Sequence, residues 1–234
     1  MNSNKYRYRS HIFSLSKVAL AMHENLITCV IFGKGKNVRV VGEKQEISGS
    51  IVCIKPDVMH GVFVPAEGAE VLYLDGVKLP KEQSDFILLD NQWADIPNAF
   101  FSQDHARINS LREALDASVK PSDPRVLAVI EQLFENPLER MSQEQLSEFM
   151  ELERTQALKV FKRETGQTFR RFKKWAASVT LTSLVFNDGE IISHAGLDAG
   201  FSDAAHTTRT AREVFGLTPT EGASSLRGIS TFIS

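Results

Sequence analysis

Between Arg154 and Trp175 the chain carries eight basic residues, Arg154, Lys159, Lys162, Arg163, Arg170, Arg171, Lys173 and Lys174, against one acid, Glu164. The full chain of 234 residues has 27 basic and 29 acidic side chains, for a formal charge of −2, so the positive charge is concentrated locally in a nearly neutral protein. Such a patch suits phosphates, because each cation that neutralises one releases a counterion and sets affinity without reading sequence. At its start Arg154, Thr155, Gln156 and Lys159 lie close together. Gln pairs bidentately with adenine, and Arg or Lys with guanine, each good pair discriminating by about 1–3 kcal/mol. A basic run alone is more often a solvated helix face, so its meaning depends on the elements that hold it.

Other chemistry finds less support. There is no phosphate-cradling Gly-rich loop, no G-x-S-x-G and no H-E-x-x-H, and the cysteines lack C-x-x-C spacing. His23 is followed by Glu24, and His60 ends the run KPDVMH, but neither belongs to a His-x-His pair. A first-row metal with open positions wants about three protein ligands. No metal, no cofactor and no enzymatic activity are therefore expected.

The elements that position the basic patch fall into two patterns. Up to about Asp75 the chain shows short β-rich runs (LITCVIF, NVRVVG, SIVCI, HGVFV, EVLYL) separated by Gly, Pro and charged turns, which predicts an antiparallel barrel or sandwich. From Ser84 onward apolar residues recur at three and four, as in Ile108, Leu111 and Leu115, then Val126, Val129, Ile130 and Leu133, which predicts helices. The stretch Ser118–Asp123 separates the patterns, and Pro124 suits the first turn of a helix capped by Ser122 or Asp123. The expected organisation is α+β: a β-rich N-terminal domain over 1–83, a helical linker over 84–121 and an all-helical domain over 122–234.

Composition agrees with a soluble globular chain, at 42% hydrophobic and 24% charged residues, and excludes disordered, collagen-like and coiled-coil classes. Apolar runs such as Val18–Met22 and Ile27–Phe32 are far short of the roughly 20 residues of a membrane helix. Lys5, Arg7 and Arg9 are followed by His11, Ser14, Ser16 and Lys17, which interrupt any signal-peptide core. Cys29 and Cys53 sit inside apolar stretches, as small buried thiols do in a reducing compartment. A cytoplasmic location without membrane contact is expected.

Two segments of the helical half repeat one another. Leu146–Gly166 and Ala195–Gly216 each begin on small or apolar residues, place an apolar residue in a turn (Leu152; Phe201), continue into a polar helix and close on glycine. Tandem helix-turn-helix units at 142–166 and 192–216 have this form, with recognition helices beginning near Glu153 and Ser202. Ser202 is the expected N-cap of the second, with Asp203 in its first turn. The helically spaced Phe161, Phe169, Phe172, Trp175, Phe201 and Phe215 read as core.

The segments LSEFM, VFKRETGQTFRRFKKW, AGFSDAAH and FGLTP, in this order and spacing, resemble the AraC-type transcriptional regulators. The run SGSIVCIKPDVMHGV and then VLYLD is similar to that family's sensor domain, which implies a β-rich cupin-like barrel. The resemblance implies a sequence-specific, double-stranded-DNA-binding regulator whose two units occupy successive major-groove segments. It implies DNA contact by Arg154, Thr155, Gln156, Lys159, Lys162, Arg163, Arg170, Arg171 and Lys173, and in the second unit by His206, Thr208 and Arg209. It further implies a small-molecule effector or a homodimer acting through the N-terminal domain, with RNA polymerase as a partner if the protein is an activator. His60 is the effector-binding candidate, among the inward or mouth positions Ile31, Val40, Ile54, His60, Val62 and Leu72. The alternative is a cupin-type ligand-binding protein or adaptor whose helix-turn-helix domain no longer binds DNA.

The chain departs from the family pattern at Glu151, where Gly is usual in the turn, at Glu153, where a Ser cap is usual, and at Ala157, where a bulky apolar residue is usual. Ala177 and Leu181 stand in place of Arg and Ala. In the second unit Ala195 and Gly196 replace an Ile-Ala pair, and Thr207 and Ala211 replace two aromatics. Leu158 and Leu197 are the expected fillers of the thinned cores.

Overall fold

The computed structural model describes residues 8–77, 79–80, 82–115, 120–137 and 141–233. The N-terminal part is built from β1 (Arg9–Leu15), β2 (Val18–Glu24), β3 (Thr28–Gly33), β4 (Val38–Gly42), β5 (Glu46–Gly49), β6 (Ile51–Ile54), β7 (Met59–Val64), β8 (Ala69–Leu74) and β9 (Phe86–Leu88). With a C-terminal strand, β10 (Leu226–Ile233), they form two antiparallel sheets, in the orders β10-β1-β8-β3-β6-β9 and β2-β7-β4-β5. The β-rich half forms two facing sheets, and among the described residues no closed barrel forms.

The larger sheet is apolar on both faces. Cys29, Ile31, Val52, Ile54, Val71 and Tyr73 meet Leu20, Val38, Val40 and Val62 of the smaller sheet. Val30, Phe32, Ile51, Cys53, Leu72 and Leu74 point the other way, onto α1 (Ile96–Phe101) and α2 (His105–Ala114). Covering both faces explains why β6 reads as an unbroken apolar run, and β8 as one broken only by Glu70, instead of alternating. It also corrects Leu72, an inward candidate that lies on the opposite face, under the helices. Cys29 and Cys53 are free and buried, and burial pushes both thiols up, Cys53 to about 12, so neither is a thiolate at neutral pH.

His60 is fully buried. Its Nδ1–H donates to the Val58 carbonyl at 2.7 Å, and its Nε2 lies 3.4 Å from the Asn25 amide. Its ring stands 4.3 Å from that of His23 and 6.2 Å from that of Phe86. Burial brings the His60 pKa down to about 3 and also lowers that of His23, so both rings are neutral at pH 7. His60 is thus packed as a core histidine.

The helices continue with α3 (Pro124–Glu135), α4 (Gln143–Met150), α5 (Arg154–Thr165), α6 (Phe169–Phe186), α7 (Ile192–Asp198), α8 (Ala204–Phe215) and α9 (Pro219–Ser225). Of the two cap candidates for α3, Asp123 serves: its carboxylate accepts from the Arg125 N–H at 3.0 Å, with Pro124 in the first turn. Residues 116–119, part of the expected boundary, lie outside the described residues. Two strands fall inside segments read as helical. β9 pairs with β6 within the expected linker, and β10 pairs with β1 at the end of the expected all-helical domain. Three residues in one case, and a Gly- and Ser-containing run in the other, carry too little periodicity to be read locally.

One core runs through both halves. Trp175 of α6 packs 5.0 Å from Tyr73, 5.8 Å from His11 and 6.3 Å from Phe215, ring centre to ring centre. Val179, Val214, Leu217, Leu226 and Ile229 extend the same cluster. At the end of α8, Gly216 (φ 69°) accepts a hydrogen bond from the Ala21 N–H at 2.9 Å. A Cβ there would lie 2.7 Å from the Ala21 oxygen and 2.6 Å from His23 Nδ1, so only glycine lets α8 approach β2 this closely. Among the described residues no helix is long and apolar enough to cross a membrane.

Candidate nucleic-acid interface

The first helix pair is α4 and α5. A capping box starts α4: the Ser142 hydroxyl accepts from the Gln145 N–H at 3.1 Å while the Gln145 side chain accepts from the Ser142 N–H at 2.7 Å. Leu146 and Met150 point inward, and the chain turns at Glu151 in the left-handed region (φ 52°). Glu153 precedes α5 without any side-chain cap, in keeping with the missing Ser noted above. Ala157 and Phe161 of α5 are fully buried, and the Phe161 ring meets Phe169 and Phe172 edge to face at 5.3 and 5.4 Å. Leu158 is half-buried against this core, which makes it one of the fillers anticipated for the small Ala157.

What remains outside on α5 is Arg154, Thr155, Gln156, Lys159, Lys162 and Arg163, all exposed. Arg154 is 3.3 Å from Glu144, an exposed pair of the kind that contributes little and opens readily. Glu164 turns back to accept from the Ser122 and Asp123 N–H groups at 2.9 and 3.1 Å, and these bonds hold its carboxyl below the usual carboxylate range. The one acid of the basic run is thereby committed to the start of α3.

Left-handed backbone strains any residue with a Cβ, so Glu151→Gly is expected to stabilise the fold by about 0.5–1 kcal/mol. A urea midpoint that stays put or falls would contradict this.

The second pair is α7 and α8. Ala195 and Gly196 of α7 are buried, and a Cβ on Gly196 would stand 2.6 Å from Thr207 Oγ1. The two departures from the family pattern therefore fit each other: the missing methyl at 196 is the space that the buried Thr207 occupies. Leu197 is 46% exposed and does not refill the core; Leu181, Ala199 and Phe201 close it together with Ala195. The N-cap is Asp203, not Ser202: its carboxylate accepts from the His206 N–H at 2.7 Å, and the Ser202 hydroxyl donates to it at 2.9 Å. These bonds hold the Asp203 carboxyl low and leave Ser202 Oγ 3.1 Å from His206 Nδ1. His206, Thr208 and Arg209 are exposed while Thr207 and Thr210 are buried, so α8 presents one polar face and seats the other.

The spine of both units is α6, whose Phe169, Phe172 and Ala176 enter the first core and Leu181 the second. Its cations are not equivalent. Arg170 is exposed. Arg171 instead reaches the β half, pairing with Asp57 and donating to the Leu26 carbonyl at 3.3 Å. Lys173 donates to the Met141 carbonyl at 2.6 Å, and partial burial lowers its pKa. Lys174 is 2.8 Å from Glu213. A cleft of about 360 Å³ separates the units, lined by Arg170, Lys173 and Lys174 on one side and Phe201, Ser202 and His206 on the other.

No protein-family model matches this sequence, and no curated protein does. Solved structures do. An apo variant of ToxT from Vibrio cholerae strain SCE256 superposes with a TM-score of 0.60 over 92% of this chain and 96% of that one, at 11% identity. This is the fold of ToxT. A second ToxT crystal form matches with a TM-score of 0.57 over 95% of this chain and the whole of the other, at 12% identity. ToxT with an unsaturated fatty acid bound matches at 0.58 over 97% and 99%, also at 12% identity. The ToxT fold thus spans both halves and includes the β-rich part, where the sequence motifs were shorter and less specific.

Proposed function

We propose that the protein is a sequence-specific, double-stranded-DNA-binding transcription regulator of the AraC type, and that it is not an enzyme. The observation that carries this reading is the pair of helices, α5 and α8, each seated by a packed neighbour and each presenting an exposed polar face on one shared spine. With 18 residues, α6 is about 27 Å long. That is on the scale of the roughly 34 Å between successive major-groove segments on one face of the duplex. Arg154, Thr155, Gln156 and Lys159 read bases from α5, and His206, Thr208 and Arg209 do so from α8. Lys162, Arg163 and Arg170 neutralise phosphates. Arg171 and Lys173, with partners in their own chain, orient α6 in addition to any phosphate contact.

Selection of random duplex DNA by the purified protein at two salt concentrations tests this directly. Two short sequence blocks about one helical turn apart are expected. Retention without a shared sequence would leave only a backbone binder, and no retention would favour the ligand-binding or adaptor alternative. On the selected site, Gln156→Ala is expected to cost about 1–3 kcal/mol while leaving random duplex nearly untouched. Arg170→Ala should weaken both duplexes alike and reduce the salt slope by about one. Equal losses for the two variants on both duplexes would refute this division of roles.

The effector site moves, in this reading, from His60 to the junction of the halves. An apolar cleft there is lined by Phe13, Leu20, Tyr73, Leu181, Phe186 and Phe215, with a void of about 60 Å³. Ligand pockets usually measure about 300–1,000 Å³, so a larger apolar ligand must spread the junction. Such a ligand shifts the relative placement of the halves only by binding two arrangements unequally. ToxT has been solved with an unsaturated fatty acid bound, which makes that class the first to add to the DNA selection. RNA polymerase is a partner if the protein activates.

A further inference from the structure

The cleft between the two helix-turn-helix units has the size and the lining of a small-molecule site. Its volume of about 360 Å³ lies within the roughly 300–1,000 Å³ usual for such sites, whereas the void at the junction of the halves measures about 60 Å³. Leu133, Met141, Ala177, Ala199 and Phe201 supply apolar walls, and the His206 ring stands edge-on to Phe201 at 5.3 Å. Arg170, Lys173 and Lys174 bring three cations to it, and among the described residues no acid lines it. The neighbouring polar clefts differ in this respect: Glu24, Glu43, Asp57 and Asp85 rim the mouth of the sandwich, and Glu24 and Glu213 rim the cleft at β2.

Two of the three cations are already engaged, Lys173 with the Met141 carbonyl and Lys174 with Glu213. Arg170 is exposed and makes no ion pair among the described residues. Thr210 adds a second open donor. It is 3% exposed and lines the cleft, yet its hydroxyl finds no hydrogen-bond partner among the described residues, whereas Thr207 on the same helix donates to the Asp203 carbonyl at 3.0 Å. A buried hydroxyl left without a partner costs free energy that a ligand recovers.

We propose that this cleft binds a small monocarboxylic acid with a ring-sized apolar body, its carboxylate taken by the open donors of Arg170 and Thr210 and its body packed between Met141, Ala177 and Phe201. A guanidinium matches a carboxylate in a planar, two-pronged pair. A phosphate, free or in a duplex backbone, shares the charge but leaves the apolar walls uncovered. The site is distinct from the apolar cleft at the junction and from His60. Arg170 is also the phosphate neutraliser assigned above, so the acid and the duplex compete for one guanidinium. That consequence rests on the proposed DNA binding; occupancy of the cleft does not.

Titration of the full chain with 3-phenylpropionate, followed by ¹H–¹⁵N magnetic resonance, is expected to give a dissociation constant below about 1 mM, with the largest shifts at Ala177, Gly200, His206 and Thr210. 3-Phenylpropanol, the same body without the charge, and inorganic phosphate, the charge without the body, should each bind at least about tenfold more weakly. Thr210→Val, which removes the hydroxyl and keeps the branched shape, should weaken the acid about fivefold, and Ala177→Leu, which fills the cleft, at least about tenfold, with circular dichroism native. If a variant fails to fold, the shifts of the unaltered protein and the two control ligands decide. Phosphate bound as tightly as the acid, shifts centred on Phe215 at the junction, or no saturation by about 5 mM would each overturn the proposal. Saturating acid should also lower affinity for the selected duplex at least about threefold, and an unchanged affinity would overturn the competition. The binding titration contains no DNA, so failure of the site and failure of the DNA-binding reading are told apart.

Discussion

Trp175→Ala is expected to destabilise the protein by about 3–5 kcal/mol, a large fraction of the roughly 5–15 kcal/mol by which domains are stable. The indole is 2% exposed and touches His11 and Tyr73 of the larger sheet as well as Phe215 of α8. Its removal opens a cavity that no single element can close, because the lining comes from both halves. The halves should then lose cooperativity, and urea unfolding followed by far-ultraviolet circular dichroism should broaden or split into two transitions. The other tryptophan, Trp93, lies by the Arg107 guanidinium outside this cluster, so fluorescence of the variant reports a separate region. A loss under about 1.5 kcal/mol with a single sharp transition would show that the junction does not couple the halves.

Acidification from pH 7.5 to 5.5 is expected to remove about 3 kcal/mol of stability, well above the acid range of carboxylates. Burial brings the pKa of His11 from 6.5 to about 3, with Arg9 adding in the same direction. His60 is lowered from 6.5 to about 3, first by burial and then by the neighbouring His23. In the unfolded chain both rings take up protons near pH 6.5, whereas in the folded chain they stay neutral. Their contribution is therefore intact above 6.5 and shrinks by about 1.4 kcal/mol per ring for each pH unit below it, until the folded value is reached. His23 acts in the same direction. The carboxyls of Asp95, Asp123 and Glu164 are held low by hydrogen bonds from Arg107, Arg125 and the Ser122 N–H, so their contribution is lost only below about pH 4.5. Urea midpoints at the two pH values measure the difference. Equal stability, or resonances assigned to His11 and His60 that titrate near 6.5 in the folded protein, would exclude neutral buried rings.

The helix-turn-helix units were legible because their signals are local. The apolar Leu146, Leu152 in the turn, Phe161 and the closing Gly166 lie within one short stretch, and each fixes backbone or burial through neighbours a few residues away, whereas the capping box of Ser142 and Gln145 emerged only in the structure. The short β-rich runs separated by Gly, Pro and charged turns likewise predicted antiparallel strands. Asp203 in place of Ser202 as N-cap is a miss of one residue between two competent acceptors, and backbone geometry chose.

The amino-acid sequence by itself determined where the two polar helices lie to within a residue or two, which of their residues stay outside, and that the basic charge is concentrated on α5 and the first half of α6. Periodicity and capping are properties of neighbours in the chain. Only the tertiary structure decided that β10 closes onto β1 across more than 200 residues, that Arg171 serves the junction with Asp57, and that His60 is packed instead of open. It also decided that Gly196 and Thr207 share one space. Each of these depends on which distant surfaces meet, and the free energy of burying them is not encoded in any local pattern.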